Sequence, residues 1–487
     1  MIALTQRSAQ PQISARQVAA ASRHMSTTST PRVAVLYQEL EPPLINGVRK
    51  PKKPGGYRDS GADIAYVLKH QGAIDIITPV SAPDPERDAD WCFGDSERGM
   101  MDAIKKGATH FWANTILFAN HPLQTSPSLT SVAKTLNVVG QPPKLVELYD
   151  DKSFVNNLLR ARGGFTLPSA YDVHDEQALA ELLRVDLEYP VVAKPVRGRG
   201  SYGVKVCRSP EELNEHCRGL LKEETSVIIE DYLAGQEATV SVMPPSPATG
   251  QNDYWAMPVV ERFNHADGVA PYNGIVAVLQ NSRCLSESEH ESDPHYSEIQ
   301  SQCVEVAKLL QCTAPMRIDV RRFEESESSP FALFDVNMKP NMTGPGRPGR
   351  ERQASLTALA AAGLGWDYPT LLTLVMTRCP ECSEAVIPLL RPKVDYTIVR
   401  TWLSGPELIR LSKTGCELCF FIRKSIENVA RANIRRLHNN RAIVLGDYHG
   451  KIVLGRSRQT EMILRLFNDT NYYEIFTLRG FGGGSRY

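Results

Sequence analysis

Residues 315–338 read Pro315-Met-Arg-Ile-Asp319-Val-Arg-Arg-Phe-Glu-Glu-Ser-Glu-Ser-Ser-Pro330-Phe-Ala-Leu-Phe-Asp335-Val-Asn337-Met338. Met316, Ile318 and Val320 alternate with Arg317, Asp319 and Arg321, the period-two pattern of a strand with one apolar and one polar face. The second apolar run sets Asp335 and Asn337 on a common face, and the charged, Ser-rich stretch 324–330 reads as the turn between them. Symmetric pairing about that turn puts Asp319 opposite Asp335 and Arg317 opposite Asn337. Facing β-carbons in such pairs lie about 4.5–5.5 Å apart, where like charges destabilise the sheet. A divalent cation reverses that sign, and Mg2+ takes hard oxygen ligands, typically one or two carboxylates completed by phosphate and water. Asp319, Asp335 and Asn337 form such a candidate set. The same pattern also suits a solvated hairpin face whose acids are neutralised by Arg317 and Arg321.

Upstream, Val191-Val-Ala-Lys194-Pro195 leads into Val196-Arg-Gly198-Arg-Gly200-Ser201-Tyr-Gly203-Val204, which reads as strand, flexible loop, strand. Glycines bring backbone N–H groups close to phosphate oxygens, and Ser201 adds a donor. Lys194, at the end of its strand, supplies a point charge for a phosphate. A tight turn without a ligand is the competing reading, and no Gly-x-x-x-x-Gly-Lys-[Ser/Thr] pattern occurs in the chain. Next, Val227-Ile-Ile-Glu230-Asp-Tyr-Leu233-Ala-Gly235-Gln-Glu237 is an apolar strand that ends at Glu230, breaks at Ala234-Gly235 and resumes at Gln236. Free backbone groups at such a break read an adenine edge, with Glu237 accepting from ribose hydroxyls. An ordinary β-hairpin with exposed acids is the alternative.

Around these motifs the chain changes character twice. Over 31–145, β-rich runs (32–37, 74–80, 109–113) alternate with helix-like segments (62–70, 95–106), the pattern of a parallel α/β domain, while 42–59 reads as a long loop. Over 146–377, strands, hairpins and isolated helices suit an α+β domain. There Ser209 caps a helix with Pro210 in its first turn and Glu212 closing a capping box. Ile299, Cys303, Val306, Ala307 and Leu310 share one helical face, and the Ser/Glu-rich 281–294 reads as a surface loop. Residues 1–30 read as a disordered leader, and 378–487 as a C-terminal appendage.

Composition narrows the classes. Hydrophobic residues make up 42% and charged residues 23%, and Lys+Arg equals Asp+Glu at 55 each, so bulk charge makes no case for nucleic acid. No apolar run is long enough to cross a bilayer. Ten cysteines in 487 residues do not read as a disulfide scaffold, which favours a reducing compartment, the cytoplasm. The first 32 residues lack acidic residues and carry Arg7, Arg16, Arg23 and Arg32, the composition of a mitochondrial presequence; initiation at Met25 is the alternative.

Taken in order, these segments resemble the ATP-grasp superfamily, most closely its D-alanine–D-alanine ligase-like members, over about 148–356. The resemblance is carried by Asp151-Lys152, Tyr-Pro-Val-Val-Ala-Lys194-Pro, the Gly-Arg-Gly-Ser-Tyr-Gly loop, Glu230 with Glu237, Arg317-Ile-Asp319, and Asp335-Val-Asn337 with Pro340-Asn-Met-Thr343. It implies a cleft between two α+β subdomains with the glycine loop as a lid. Lys152 and Lys194 would contact ATP phosphates, Gly200 and Ser201 would cover them, Glu230 and Leu233 would line the adenine site, and Glu237 would hold ribose. Asp319, Asp335 and Asn337 would bind Mg2+, with Mn2+ as a substitute. The implied chemistry activates a small carboxylic acid, expected to be an amino acid, as an acyl-phosphate. An amine then captures it through an oxyanion that Arg317 stabilises, giving a dipeptide or amide. Small-molecule acid and amine are the implied partners, without nucleic acid or membrane, and a homodimer is compatible. A kinase, a non-amine acceptor, and an inactive nucleotide-binding scaffold are the rival readings.

Three departures bear on substrate and phosphate binding. The first strand is followed by Tyr37-Gln-Glu-Leu-Glu-Pro42 in place of a Gly-Gly-x-Ser-x-Glu element. Asn341 stands where the family has Gly, and Asp335 where Glu is usual. The 256–280 region holds no lysine, with Arg262 as a substitute, and Arg347, Arg350 and Arg352 are candidates to clamp a substrate carboxylate, with a solvated basic loop as the equal alternative. In the appendage, Cys379-Pro-Glu-Cys382 and Cys416-Glu-Leu-Cys419 invite a zinc site, or are simply reduced cysteines. The run from Leu411 to Cys419, with 422–426 and Phe476, is similar to the segment preceding fungal heterokaryon-incompatibility domains.

Overall fold

Strand β1 (Arg32–Tyr37) is apolar on both faces, with Val33, Ala34, Val35 and Leu36 fully buried, as a strand covered on both sides requires. It lies at the centre of a parallel sheet with β2 (Asp75–Ile76), β3 (Cys92–Gly94), β4 (His110–Asn114) and β5 (Asn137–Val139), in the order β2-β1-β4-β5 with β3 also paired to β1. Helix α1 (Arg58–Gln71) packs Ile64, Ala65 and Leu68 on one face of this sheet, and α2 (Glu97–Lys105), capped by the Ser96 hydroxyl, packs Met100 and Ala103 on the other. The computed structural model describes residues 31–45, 48–49, 52–72, 74–132, 136–198, 200–265, 268–269 and 277–376, with strands at 447–448, 451–457, 460–466 and 473–479.

Two antiparallel sheets follow. The first contains β6 (Ala170–Val173), β7 (Val191–Pro195), β8 (Lys205–Cys207) and β9 (Val227–Asp231), ordered β8-β7-β9-β6. Helices α3 (Lys152–Arg162) and α4 (Glu176–Leu182) precede β6 and β7, and α5 (Pro210–Leu220) precedes β9. The second sheet contains β10 (Glu237–Met243), β11 (Trp255–Ala256), β12 (Val260–Arg262), β13 (Ser282–Cys284), β14 (Met316–Arg322) and β15 (Phe331–Asn337). Its order is β13-β12-β10-β14-β15, with β11 also on β10. Helix α6 (Pro294–Leu309) buries Ile299, Cys303, Val306 and Ala307, and Leu310 just beyond it is buried too. Helices α7 (Leu356–Gly363) and α8 (Tyr368–Met376) share a core with α1 of the parallel domain.

The expected mixture of a parallel α/β layer and antiparallel α+β layers is therefore what the chain forms. Several local expectations change. Segment 281–294 is not a loop: it contains β13 and a helix at Glu287–Ser292, which Ser286 and Glu289 close with a reciprocal capping box. At the helix opened by Ser209, the hydroxyl accepts from Glu212 N, but the Glu212 carboxylate reaches Arg208 N, so no closed box forms there. The loop expected at 42–59 holds a short hairpin, a turn of 3-10 helix and the start of α1. β9 and β10 are not a hairpin, because they belong to different sheets, and 232–236 is the crossing between them.

The chain divides into two compact units, Met1–Arg391 and Pro392–Tyr487. In the second, Asp447–Tyr448, Lys451–Ser457, Thr460–Leu466 and Tyr473–Arg479 form an antiparallel sheet in chain order. The leader, both cysteine pairs and the run 411–426 lie outside the described residues. Among the described residues no helix is long and apolar enough to cross a membrane.

Candidate active site

Alternation along β7 and β9 aims the polar residues at one place. Val191 and Ala193 of β7, with Val227 and Ile229 of β9, enter the core under the sheet, so Val192, Lys194 and Glu230 emerge on its other face. The same rule acts on β14, where Met316, Ile318 and Val320 are fully buried and Arg317, Asp319 and Arg321 point the opposite way. Both polar faces line one cavity of about 280 Å3, roofed by Gly198, Gly200, Ser201 and Tyr202 of the glycine loop. Gly200, Ser201 and Gly203 adopt positive φ (61, 59 and 72°). The cavity brings together Lys152, Lys194, Gly200, Ser201, Glu230, Leu233, Glu237, Arg317, Asp319, Asp335 and Asn337.

The hairpin register is Arg317↔Asn337, Ile318↔Val336 and Asp319↔Asp335, followed by a shift between Asp319 and Val320. That shift is a bulge next to the acids, where it re-aims the side chains. Asp319 accepts from both arms of Arg317, Nε to Oδ1 and Nη2 to Oδ2, each at 2.8 Å. It also accepts from Thr239 Oγ1 at 2.8 Å and Asn337 Nδ2 at 3.1 Å. A carboxylate offers about four lone-pair sites, so those of Asp319 are all engaged. Arg321 does not join this pairing. Its guanidinium bonds Gly235 O and Gly268 O and reaches the Tyr232 hydroxyl, tying down the crossing between the sheets.

Asp335 is placed differently. Lys152 Nζ lies 2.8 Å from Asp335 Oδ1 as an ion pair lacking hydrogen-bond angles, and Oδ2 receives only a long contact of 3.4 Å from Asn337. Burial pushes the Asp335 carboxyl up, but the charges of Lys152 and Lys194 hold it below the ordinary carboxylate value. Lys152 is the first residue of α3. Asp151 caps that helix through Phe154 N at 3.0 Å, and Lys152 N donates to Val196 O at 3.0 Å. The lysine is thereby fixed to the root of the glycine loop, whose Gly198 O accepts from Nζ at 3.3 Å.

Lys194 is buried, donating to Glu230 Oε1 and, at 2.9 Å, to Phe334 O. Glu230 Oε2 is buried with no hydrogen-bond partner, and burial raises the Glu230 carboxyl against the pull of Lys194. Glu237 accepts from Arg262 Nη1 at 2.9 Å and lies 2.8 Å from His265 Nε2. Burial again pushes upward, yet His265 and Arg262 bring Glu237 below its ordinary value. Arg262 therefore sits in the cavity beside Glu237.

Two expectations fail on the far side. Arg347 is 2% exposed and bonds Asp63 Oδ1 at 2.9 Å and Asp88 Oδ1 at 2.7 Å. Arg350 Nε bonds Asp63 Oδ2 at 2.7 Å. Both guanidinium groups brace the parallel domain, and neither lines the cavity. Lys53, Tyr57 and Lys339 do line it and were not singled out from the sequence. The Gly55-Gly56 pair just ahead of α1 was the available signal for the first two.

Two antiparallel sheets enclosing a cavity beneath a glycine loop, with lysines on one sheet and acids on the other, define an ATP-grasp module. Residues 165–377 match the family described as D-ala D-ala ligase C-terminus, and this part of the chain is D-alanine–D-alanine ligase-like. The D-alanine–D-alanine ligase of Aquifex aeolicus is 29% identical over 192 residues, 39% of this chain and 56% of that protein. The enzyme of the same name from Trichlorobacter lovleyi is 28% identical over 242 residues, 49% of this chain and 66% of that protein. The chain thus spans between half and two thirds of these curated relatives. Among solved structures, the D-alanine–D-alanine ligase of Bacillus anthracis complexed with ATP aligns with a TM-score of 0.47 at 17% identity, over 73% of this chain and 99% of that one.

Proposed function

We propose that the chain is an ATP-dependent carboxylate–amine ligase that uses a divalent metal, Mg2+ or Mn2+. The observation that carries this reading is the convergence of Lys152, Lys194, Asp335 and Asn337 in one cavity under the glycine loop. The donor set suits the nucleotide. Glu230 Oε2, buried and without a hydrogen-bond partner, is an acceptor for an exocyclic amino group, and Leu233 gives apolar contact for a base. Asp335 keeps acceptor capacity, and the Asn337 amide oxygen adds a neutral ligand. Asp319 would join them on releasing one of its four donors. A metal held there would neutralise charge on the phosphates.

Lys152 and Lys194 hold the γ-phosphate in line with an acid carboxylate. A carboxylate oxygen bonds to phosphorus as the bond to the bridging oxygen breaks, leaving ADP and an acyl-phosphate. An amine then attacks the acyl carbon, loses a proton and expels phosphate, while Arg317 stabilises the oxyanion. Closure of the glycine loop excludes water that would hydrolyse the intermediate. The acid and the amine are both small molecules.

The test is ADP release that requires both an acid and an amine and is lost in Asp335→Ala, with mass analysis of the product. Phosphorylated acid that accumulates with no amide marks a kinase. Tight ATP binding without any release marks an inactive scaffold.

A further inference from the structure

Beyond Asn337 the cavity wall comes from a different part of the chain. Two residues after Asn337, Lys339 Nζ lies 3.8 Å from the centroid of the Tyr57 ring, and Lys53 Nζ lies 4.6 Å from the same centroid. All three line the cavity, with Asn341. The negative face of the ring attracts each ammonium. Asp59, which Arg350 also holds, reaches Lys53 Nζ only at 4.0 Å. Two like charges gathered on one ring repel, and an anion shared between them turns that repulsion into attraction.

The fold forces Tyr57 into this position. Gly55, Gly56 and Tyr57 are three consecutive left-handed residues, with φ of 73, 59 and 64°, a conformation uncommon for an aromatic side chain. Gln38 N donates to Gly56 O at 2.8 Å, and a Cβ on Gly56 would lie 2.0 Å from Gln38 O, so the turn is pressed against the end of β1. The Tyr57 carbonyl accepts from Asn114 Nδ2 at 2.9 Å and Ser60 Oγ at 3.1 Å. Meanwhile each carboxylate lining the cavity already has at least one oxygen facing a donor of the protein. Lys194 holds Glu230, Arg262 and His265 hold Glu237, Arg317 holds Asp319, Lys152 contacts Asp335, and Ser169 N donates to Asp231. A substrate ammonium entering this end would meet lysines.

We infer that the Lys53–Tyr57–Lys339 end binds a second anionic group, carboxylate or phosphate, on the acid being activated. The preferred acid is then a short dicarboxylate or phospho-acid, not a monocarboxylic amino acid. This rests on the ligase reading above. It assigns the subsite to the acid and not to the amine because Lys339 follows Asn337 by two residues and lines one cavity with Lys152 and Lys194, the lysines that the ligase reading sets on the γ-phosphate beside the activated carboxylate.

The experiment uses the full chain with Mg-ATP and hydroxylamine, which captures any acyl-phosphate as a hydroxamate whatever the natural amine. The acids are alanine and valine against succinate, glutarate, aspartate and phosphoglycolate, whose two arms separate carboxylate from phosphate. Hydroxamate from the doubly anionic acids is expected. Lys339→Met and Lys53→Met should each raise the KM for that acid about tenfold or more, and Lys339→Arg should restore most of it. Circular dichroism and ATP affinity establish that the variants fold. A preference for alanine or valine overturns the inference and leaves the ligase standing, as does a KM effect in Lys339→Met that falls on the amine. ATP binding with no hydroxamate from any acid overturns both.

Discussion

Arg317 and Asp319, two residues apart on one strand, form a two-pronged pair in which Nε and Nη2 each lie 2.8 Å from a different carboxylate oxygen. They share a face because strand residues i and i+2 do. The pair sets the resting orientation of a guanidinium that the proposed mechanism turns on an oxyanion, and it occupies an acid that the metal would use. Substituting Arg317 by Lys keeps the charge but loses the planar fork. Arg317→Lys should lower kcat about 100-fold or more with a much smaller change in the KM for ATP, as loss of an oxyanion donor does, read by steady-state kinetics.

Lys152 carries a separate prediction. Its charge is the largest pull holding the Asp335 carboxyl down against burial. Removing it in Lys152→Met favours the neutral acid, so the Asp335 pKa rises. Mg-ATP affinity measured by calorimetry from pH 8 down to pH 4 should fall at higher pH in the variant than in the wild type. Superimposable pH profiles would contradict the assigned role of Lys152.

Glu237 predicts a pH dependence of stability. Its folded carboxyl lies below the ordinary 4.5 because His265 and Arg262 outweigh burial. A depressed acid contributes stability that is complete above the unfolded pKa and is lost as pH falls through the folded one. Urea unfolding between pH 6 and pH 3 should therefore show wild-type stability falling below about pH 4.5, with a flatter curve for Glu237→Gln.

Arg347 is a structural residue despite lying in a basic run. Its guanidinium meets Asp63, itself fully buried, across 284 positions of chain. Arg347→Met leaves that carboxylate with Arg350 and the backbone N–H of residue 347 as partners, and should destabilise the protein by about 3–5 kcal/mol in denaturant unfolding. Arg352→Ala, at an exposed position, should cost little.

Much of the local architecture was legible because it follows from short-range periodicity. The alternation of Met316, Ile318 and Val320 with Arg317 and Asp319 sufficed for both strand and facing partners, and the order of the glycine loop, Glu230 and the hairpin sufficed for the fold class. The same reasoning missed Glu287–Ser292, where polar composition masked a reciprocal cap between Ser286 and Glu289. It also left 227–237 open as a hairpin, since a turn between two paired strands and a crossing between two sheets look alike in sequence.

Amino-acid order alone determined which residues share a strand face, where the flexible loop lies, and hence which side chains are candidates for phosphate and metal. Only the tertiary structure decided which charges meet. Lys152 reaches Asp335, Lys339 and Lys53 converge on Tyr57, and Arg347 turns away to Asp63. The reason is physical: strand periodicity acts over two residues, whereas the partner of a buried charge is chosen by packing between segments hundreds of residues apart, about which neither pattern nor composition carries information.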